Sequence, residues 1–203
     1  MNFYHNLIAR KSWDLLKRLH KECDFILIGG WAVFLYTKAL KSKDIDIVCE
    51  YRQLERLKLN FEVSKNERLK KYEARAEEIE IDIYVPFYSN PGLPAEVLRD
   101  FQETVEGFKI VRKEILAILK QKALRERANT VKGRKDLIDL VSLFSLDDFN
   151  WANYKKVCLD YKLGEYLDFV KETIKKVNEL EELDLNVHRM SGLKRKILPN
   201  FSD

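Results

Sequence analysis

The chain has 203 residues, 46% of them hydrophobic and 34% charged, with 37 Lys and Arg against 33 Asp and Glu. That length allows one domain with an appendage or two small ones. The apolar content excludes a disordered chain, and a net charge of +4 excludes a protein that is basic throughout. Cys23, Cys49 and Cys158 lie far apart with no CxxC, and His5, His20 and His188 show no metal-ligand spacing. A disulfide scaffold and a zinc site are therefore not expected, and a reducing cytoplasm suits the cysteine usage.

The N-terminal stretch reads as an amphipathic helix over about Tyr4 to Lys21, with Leu7, Leu15, Leu16 and Leu19 on one face, and not as a signal peptide. "FILIGG" reads as a short buried strand that ends on Gly29 and Gly30, followed by a helix from Trp31, "WAVFLYTKAL". The apolar run Phe25 to Tyr36 is broken by these glycines and is too short to span a bilayer, so no membrane partner is expected. "DIDIV" is a strand, and a short helix follows around Leu54 to Leu59. "LKKYEARAE" and "EIEIDIYVPF" read as two strands of a hairpin. In the second, Ile79, Ile81, Ile83 and Val85 take one face and Glu78, Glu80, Asp82 and Tyr84 the other. "YSNPGLP" is the clearest loop, and "FQETVEGFKIV" reads as one more strand. Beyond it the pattern is helical: Lys113 to Arg127, Lys135 to Leu146, Trp151 to Tyr161 and Glu165 to Glu182. The expected class is α+β, a small mixed sheet with helices over residues 1–110 and an all-helical region over 111–203.

Asp44 and Asp46 sit at strand spacing, so both carboxylates project to one side while Ile45 and Ile47 face the other. Two such carboxylates repel unless a cation lies between them, and a hard divalent ion such as Mg2+ (or Mn2+) takes carboxylate oxygens while leaving room for phosphates. Asp82, on a similar alternating strand, can supply a third oxygen if the two strands are neighbours. A strand running into two glycines and then a helix offers backbone N–H groups to a triphosphate, with no Cβ in the way. Gly29, Gly30, Trp31, Ser42 and Lys43 are thus the candidate nucleotide-binding residues. Taken singly, the glycine pair is an ordinary turn and "DID" an ordinary polar strand face. Their conjunction is what points to chemistry.

Strand, Gly29-Gly30, helix, Asp44-Ile45-Asp46-Ile47 and Asp82 in "EIDIYV" together resemble the DNA polymerase β-like nucleotidyltransferase superfamily over residues 25–85. The resemblance implies that Asp44 and Asp46 bind two metals, and that Asp82 binds one of them and activates an acceptor hydroxyl. It also implies that the glycine turn holds the triphosphate of an NTP such as ATP. A looser similarity, to AbiEii/MenT-type toxin nucleotidyltransferases, extends into "ILKQKALRERANTVKGRKDLIDLVSL". It adds Lys122, Arg134, Lys135, Asp136 and Asp139, of which Lys122, Asp136 and Asp139 are carried as catalytic candidates. Independently, Lys122 continues the stripe Ile115, Ile118, Leu119, while Lys120 and Arg125 fall off it and read as solvated or phosphate-steering. The helix after it is apolar nearly all round, which predicts that Asp136 or Asp139 is partly enclosed. Trp31, Tyr36 and Tyr84 can stack on a base or fill the core, and core packing is the reading preferred for each.

From Lys109 to Lys135 there are ten Lys and Arg against Glu114 and Glu126 alone. Such a run is either a set of solvated helix faces or a surface for phosphates. The expected activity is transfer of a nucleoside monophosphate from an NTP to a hydroxyl. An RNA or tRNA 3′ end is the favoured acceptor, and an antitoxin protein is a possible partner as in toxin–antitoxin systems. The alternatives are nucleotidylation of a protein or a small molecule, and a catalytically silent nucleotide- or RNA-binding module.

Overall fold

A computed structural model describes residues 2–201. The chain divides into two compact units that meet between Arg112 and Lys113. The first is built on a seven-stranded sheet in the order β3-β4-β5-β2-β1-β7-β6. Its strands are β1 (Ile26–Ile28), β2 (Ile45–Val48), β3 (Val63–Asn66), β4 (Lys71–Ala76), β5 (Ile79–Tyr84), β6 (Gln102–Val105) and β7 (Phe108–Val111). The pairs β2–β5 and β1–β7 are parallel and the other neighbours antiparallel, so the sheet is mixed.

Three helices accompany the sheet: α1 (Asn2–Glu22), α2 (Gly29–Thr37) and α3 (Tyr51–Asn60). The inward stripe of α1 runs through Ile8, Ser12, Leu15, Leu16 and Leu19, while Leu7, expected on that face, is exposed. Trp31 is buried and its Nε1 donates to Ser12 Oγ at 2.9 Å, which satisfies the indole polar edge inside the core. Alternation on β5 follows the pleat: Ile79, Ile81 and Ile83 are buried, Glu80 is exposed, and Asp82 and Tyr84 are half-buried.

Several elements differ from the sequence expectation. The run "FQETVEGFKIV" is two strands, not one, because Glu106 and Gly107 take positive φ and turn the chain back into a β6–β7 hairpin. The strand β3 was not expected. It is polar and lies at one edge of the sheet, as β6 lies at the other, so neither edge strand carries the apolar alternation that marks a strand half-buried on the core.

The second unit is helical: α4 (Lys113–Arg127), α5 (Val131–Phe144), α6 (Trp151–Asp160), α7 (Gly164–Lys176) and α8 (Val187–Ile197). The helix α5 begins at Val131, earlier than expected, because Thr130 caps it by accepting from Gly133 N at 3.0 Å. The helix α7 ends at Lys176, and α8 forms from the basic tail. Phe144, Phe149, Trp151, Tyr154 and Phe201 form an aromatic cluster. Beside it, Tyr154 donates to Gln121 Oε1 at 2.5 Å and Gln121 Nε2 lies 3.6 Å from Cys158 Sγ, all three residues being buried. Among the described residues no helix is long and apolar enough to cross a membrane.

Candidate functional site

The polar row lies across the centre of the sheet. Register aligns Ile28 with Asp46, Asp46 with Asp82, and Asp82 with Glu73. Paired residues on neighbouring strands point to the same face, so Asp46 on β2, Asp82 on β5 and Glu73 on β4 stand side by side, with Asp44 one residue ahead of β2. Asp44, Asp46, Asp82 and Glu73 are all half-buried, whereas Ile45, Ile47, Ile81 and Ile83 between them are fully enclosed on the other face. The isoleucines fix the register, because a slip by one residue would bury the carboxylates.

Gly29 closes one end of this row. It has φ +67°, and a Cβ built on it would lie 2.0 Å from Asp46 Oδ2. Only glycine accepts both that backbone conformation and that approach. The helix α2 begins at Gly29, two residues before the expected Trp31, and its N-cap Ile28 makes no side-chain cap. The positive end of the helix therefore abuts the Asp46 carboxylate, an arrangement that favours anions. Of the other candidate nucleotide-binding residues, Gly30 lies in the first turn of α2, Ser42 is buried and Lys43 half-buried just ahead of Asp44. Trp31 offers only its backbone, since its ring is 1% exposed and tilted against Trp13.

Asp82 carries a partner that sequence reasoning missed. Lys71 Nζ lies 2.6 Å from Asp82 Oδ2 and 3.0 Å from Glu73, and Asn66 Nδ2 donates to Glu73 Oε1 at 2.9 Å. Lys71 is only 9% exposed. Burial pulls its pKa down, but hydrogen bonds and charge from Asp82 and Glu73 outweigh this and leave it raised. Burial is also the largest influence on Asp82, whose pKa is raised. Lys71 opposes the rise, while Glu73 and Asp44 add to it. The signal for Lys71 was present in "KKYEAR": at strand spacing from Glu73, it had to share the face of the carboxylates. A cleft of about 350 Å³ lies against this edge of the row, lined by Glu62, Ser64, Glu73, Ala74, Arg75, Glu80 and Asp82.

Asp46 on β2 and Asp44 just ahead of it are hard oxygen donors, of the kind suited to a divalent cation such as Mg2+. Yet among the described residues no three His, Cys, Asp or Glu side chains gather closely enough to hold a metal ion together. The third carboxylate, Asp82, is instead engaged by an ammonium.

Lys122, Asp136 and Asp139 belong to the helical unit. There the expectation about the lysines is corrected. Lys120, not Lys122, points inward: its Nζ lies 3.1 Å from Asp136 Oδ1 and 2.6 Å from Asp139 Oδ2. Lys122 is half-buried, near Glu126 at 3.8 Å. The stripe argument failed because α4 is buried on all sides from Glu114 to Gln121, so its apolar face does not single out one direction. Arg127 Nε donates to Asp136 Oδ2 at 2.6 Å, and both aspartates are 1% exposed. Two cations face two enclosed carboxylates, a balanced network that ties α4 to α5. Gly133 lets the helices meet, since a Cβ there would lie 2.0 Å from the Arg127 carbonyl oxygen.

The mixed sheet with its glycine turn and strand-borne aspartates, followed by a helical unit, defines a nucleotidyltransferase-like fold. Two solved structures carry the comparison. JHP933 from Helicobacter pylori matches at 17% identity and TM-score 0.56, over 95% of this chain and 91% of its own. A candidate nucleotidyltransferase from H. pylori matches at 15% identity and TM-score 0.52, over 96% of this chain and 92% of its own. Likeness at this identity is a likeness of fold. No protein-family profile matches the chain, and no curated protein matches it.

Proposed function

We propose that the chain is a metal-dependent nucleotidyltransferase, moving a nucleoside monophosphate from an NTP to a hydroxyl. The observation that carries the reading is Asp46 on β2, set against the Gly29 turn at the start of α2 and level with Asp82 on β5, with Asp44 one residue ahead of the strand and its charge felt at Asp82. The acceptor oxygen attacks the α-phosphorus, the bond to the β-phosphate breaks, and pyrophosphate leaves. Asp82 takes the hydroxyl proton. The first turn of α2 receives the triphosphate, and Asp44 and Asp46 would hold a divalent cation, Mg2+ or Mn2+, which neutralises phosphate charge when bound.

For the acceptor, the basic stretch from Lys109 to Lys135 is the argument for an RNA 3′ end. At least seven of its ten cations are spent on ion pairs: Lys109, Lys113, Lys120, Lys122, Arg125, Arg127 and Arg134. The 350 Å³ cleft beside Asp82 favours a second reading, a small hydroxyl-bearing molecule, since it falls within the range of about 300–1,000 Å³ typical of small-ligand sites. Incubation with each α-labelled NTP and Mg2+, against total RNA, protein extract and a small-molecule pool, tests both. Label in one class names the acceptor, and the Asp44→Ala and Asp46→Ala variants should label nothing while remaining folded. Undiminished turnover in either variant would remove the proposed site.

A further inference from the structure

We infer that the first unit carries a second ligand site, separate from the carboxylate row, and that it takes a small zwitterion with an apolar body, the chemistry of a free apolar amino acid. The site is a cleft of about 520 Å³, within the range of about 300–1,000 Å³ typical of small-ligand sites. It lies where β1 begins and β2 ends, and the cross-strand partners Ile26 and Val48 form part of its wall. Gly29 follows the far end of β1, and neither it nor Asp44, Asp46 or Asp82 lines the cleft.

Two features of the wall point to a ligand. Gln53, in the first turn of α3, is 4% exposed, and its Oε1 has no hydrogen-bond partner among the described residues. Buried polar groups in folded proteins are nearly always paired, so an unpaired amide oxygen in a cleft wall is matched by a ligand that brings an N–H donor. Phe87 is the second feature. It lines the cleft with φ +60° and is 87% exposed, two unfavourable conditions for a bulky aromatic residue. Glu96 holds it there by accepting from Phe87 N at 2.9 Å. An exposed ring kept in a strained conformation beside a cleft fits an apolar partner.

The ionic groups of the cleft define the rest of the ligand. Asp24 pairs with Lys109 at 2.6 Å and Glu50 with Arg99 at 2.5 Å, while Arg52 and Glu96 stand outside those two pairs. Arg52 lies in the first turn of α3, whose N-cap Glu50 makes no side-chain cap, so its guanidinium and the positive end of the helix act together on a carboxylate. Glu96 and Gln53 Oε1 are acceptors, which suits an ammonium. Phe87 then covers the apolar body. A carboxylate, an ammonium and an apolar side chain on one small molecule meet all three demands.

The test is calorimetric titration of the full-length chain with L-phenylalanine, L-tyrosine, L-tryptophan, L-leucine and L-methionine. Metal-free buffer without nucleotide makes the outcome independent of the nucleotidyltransferase reading. At least one of the five should bind with a Kd below about 1 mM, and the matching amine and the matching carboxylic acid should each bind at least about tenfold more weakly. Gln53→Leu should weaken binding about tenfold yet raise the urea midpoint of the ligand-free chain, because it removes the unpaired oxygen. Phe87→Ala should weaken binding at least about fivefold, and Arg52→Gln should erase the advantage of the amino acid over the amine. Asp46→Ala should bind as the wild type does. No binding of any of the five at about 10 mM would overturn the inference, as would equal affinity for amine, acid and amino acid. Undiminished binding in both Gln53→Leu and Phe87→Ala, or binding lost in Asp46→Ala, would overturn it too. Should Gln53→Leu fail to fold, the exposed positions Phe87 and Arg52 decide alone.

Discussion

Substituting Gly29 by alanine tests whether the glycine turn sets the position of the Asp46 carboxylate, proposed above as a metal ligand. Two costs arise. A left-handed conformation at φ +67° costs an alanine roughly 1–2 kcal/mol. The added Cβ would also lie 2.0 Å from Asp46 Oδ2, 2.5 Å from Cγ and 2.7 Å from Cβ, where unstrained contact begins near 3.4 Å. Rotating the carboxylate relieves the first two contacts but not the third, because Asp46 Cβ is fixed to the backbone of β2. Strands β1 and β2 must therefore separate, which at the usual cost of overpacking adds about 1–3 kcal/mol. Gly107→Ala supplies the control: φ is +85° and nothing lies within 4 Å of the added carbon, so it carries the conformational cost alone. Urea denaturation should rank Gly29→Ala below Gly107→Ala by the collision term. Displacing Asp46 by an ångström should cut transfer on the order of 100-fold, while Gly107→Ala should not. Equal stabilities for the two variants, with transfer retained in Gly29→Ala, would refute the claim that Gly29 places Asp46.

In the helical unit, Lys120→Met leaves two enclosed aspartates short of a cation and should cost about 3–5 kcal/mol, whereas Lys122→Met should change stability by less than about 0.5 kcal/mol. Urea midpoints measure both, and the reverse order would restore Lys122 as the inward lysine. Burial pushes the Cys49 thiol up to about 12 and the Cys158 thiol up to about 11, and it raises Tyr154 as well. The unfolded chain releases these thiol protons near pH 9, earlier than the folded one. Their contribution is therefore complete below about pH 9 and is lost as pH climbs towards 12. Denaturation at pH 8, 9.5 and 11 should show that decline, and native Cys49 and Cys158 should resist alkylation at neutral pH. A flat profile would show that the thiols are not enclosed.

Local patterns in the sequence were sufficient for much of the candidate site. The apolar strand ending on Gly29-Gly30, the alternation in "DIDIV" and the alternation in "EIEIDIY" each depend on residues within a few positions of one another. They announced β1, β2 and β5 and the face that carries Asp46 and Asp82. Pairing was a different matter. That β2 lies parallel to β5, with Asp46 opposite Asp82, joins residues far apart in sequence and is settled by burial of isoleucines from both strands against a common core. The same non-local register brings Lys71 to Asp82: its spacing from Glu73 gives the two a common face, and only the pairing of β4 with β5 sets that face beside Asp82. Edge strand β3 escaped notice, and β6 was read as one strand with β7, because solvent on one side removes the need for apolar residues. In α4, enclosure on every side erased the amphipathic signal that would have chosen between Lys120 and Lys122. Only the position of α5, brought close by Gly133, decided that Lys120 meets Asp136 and Asp139. Periodicity reports what one element buries. Which charge meets which is decided by the partner it is buried against.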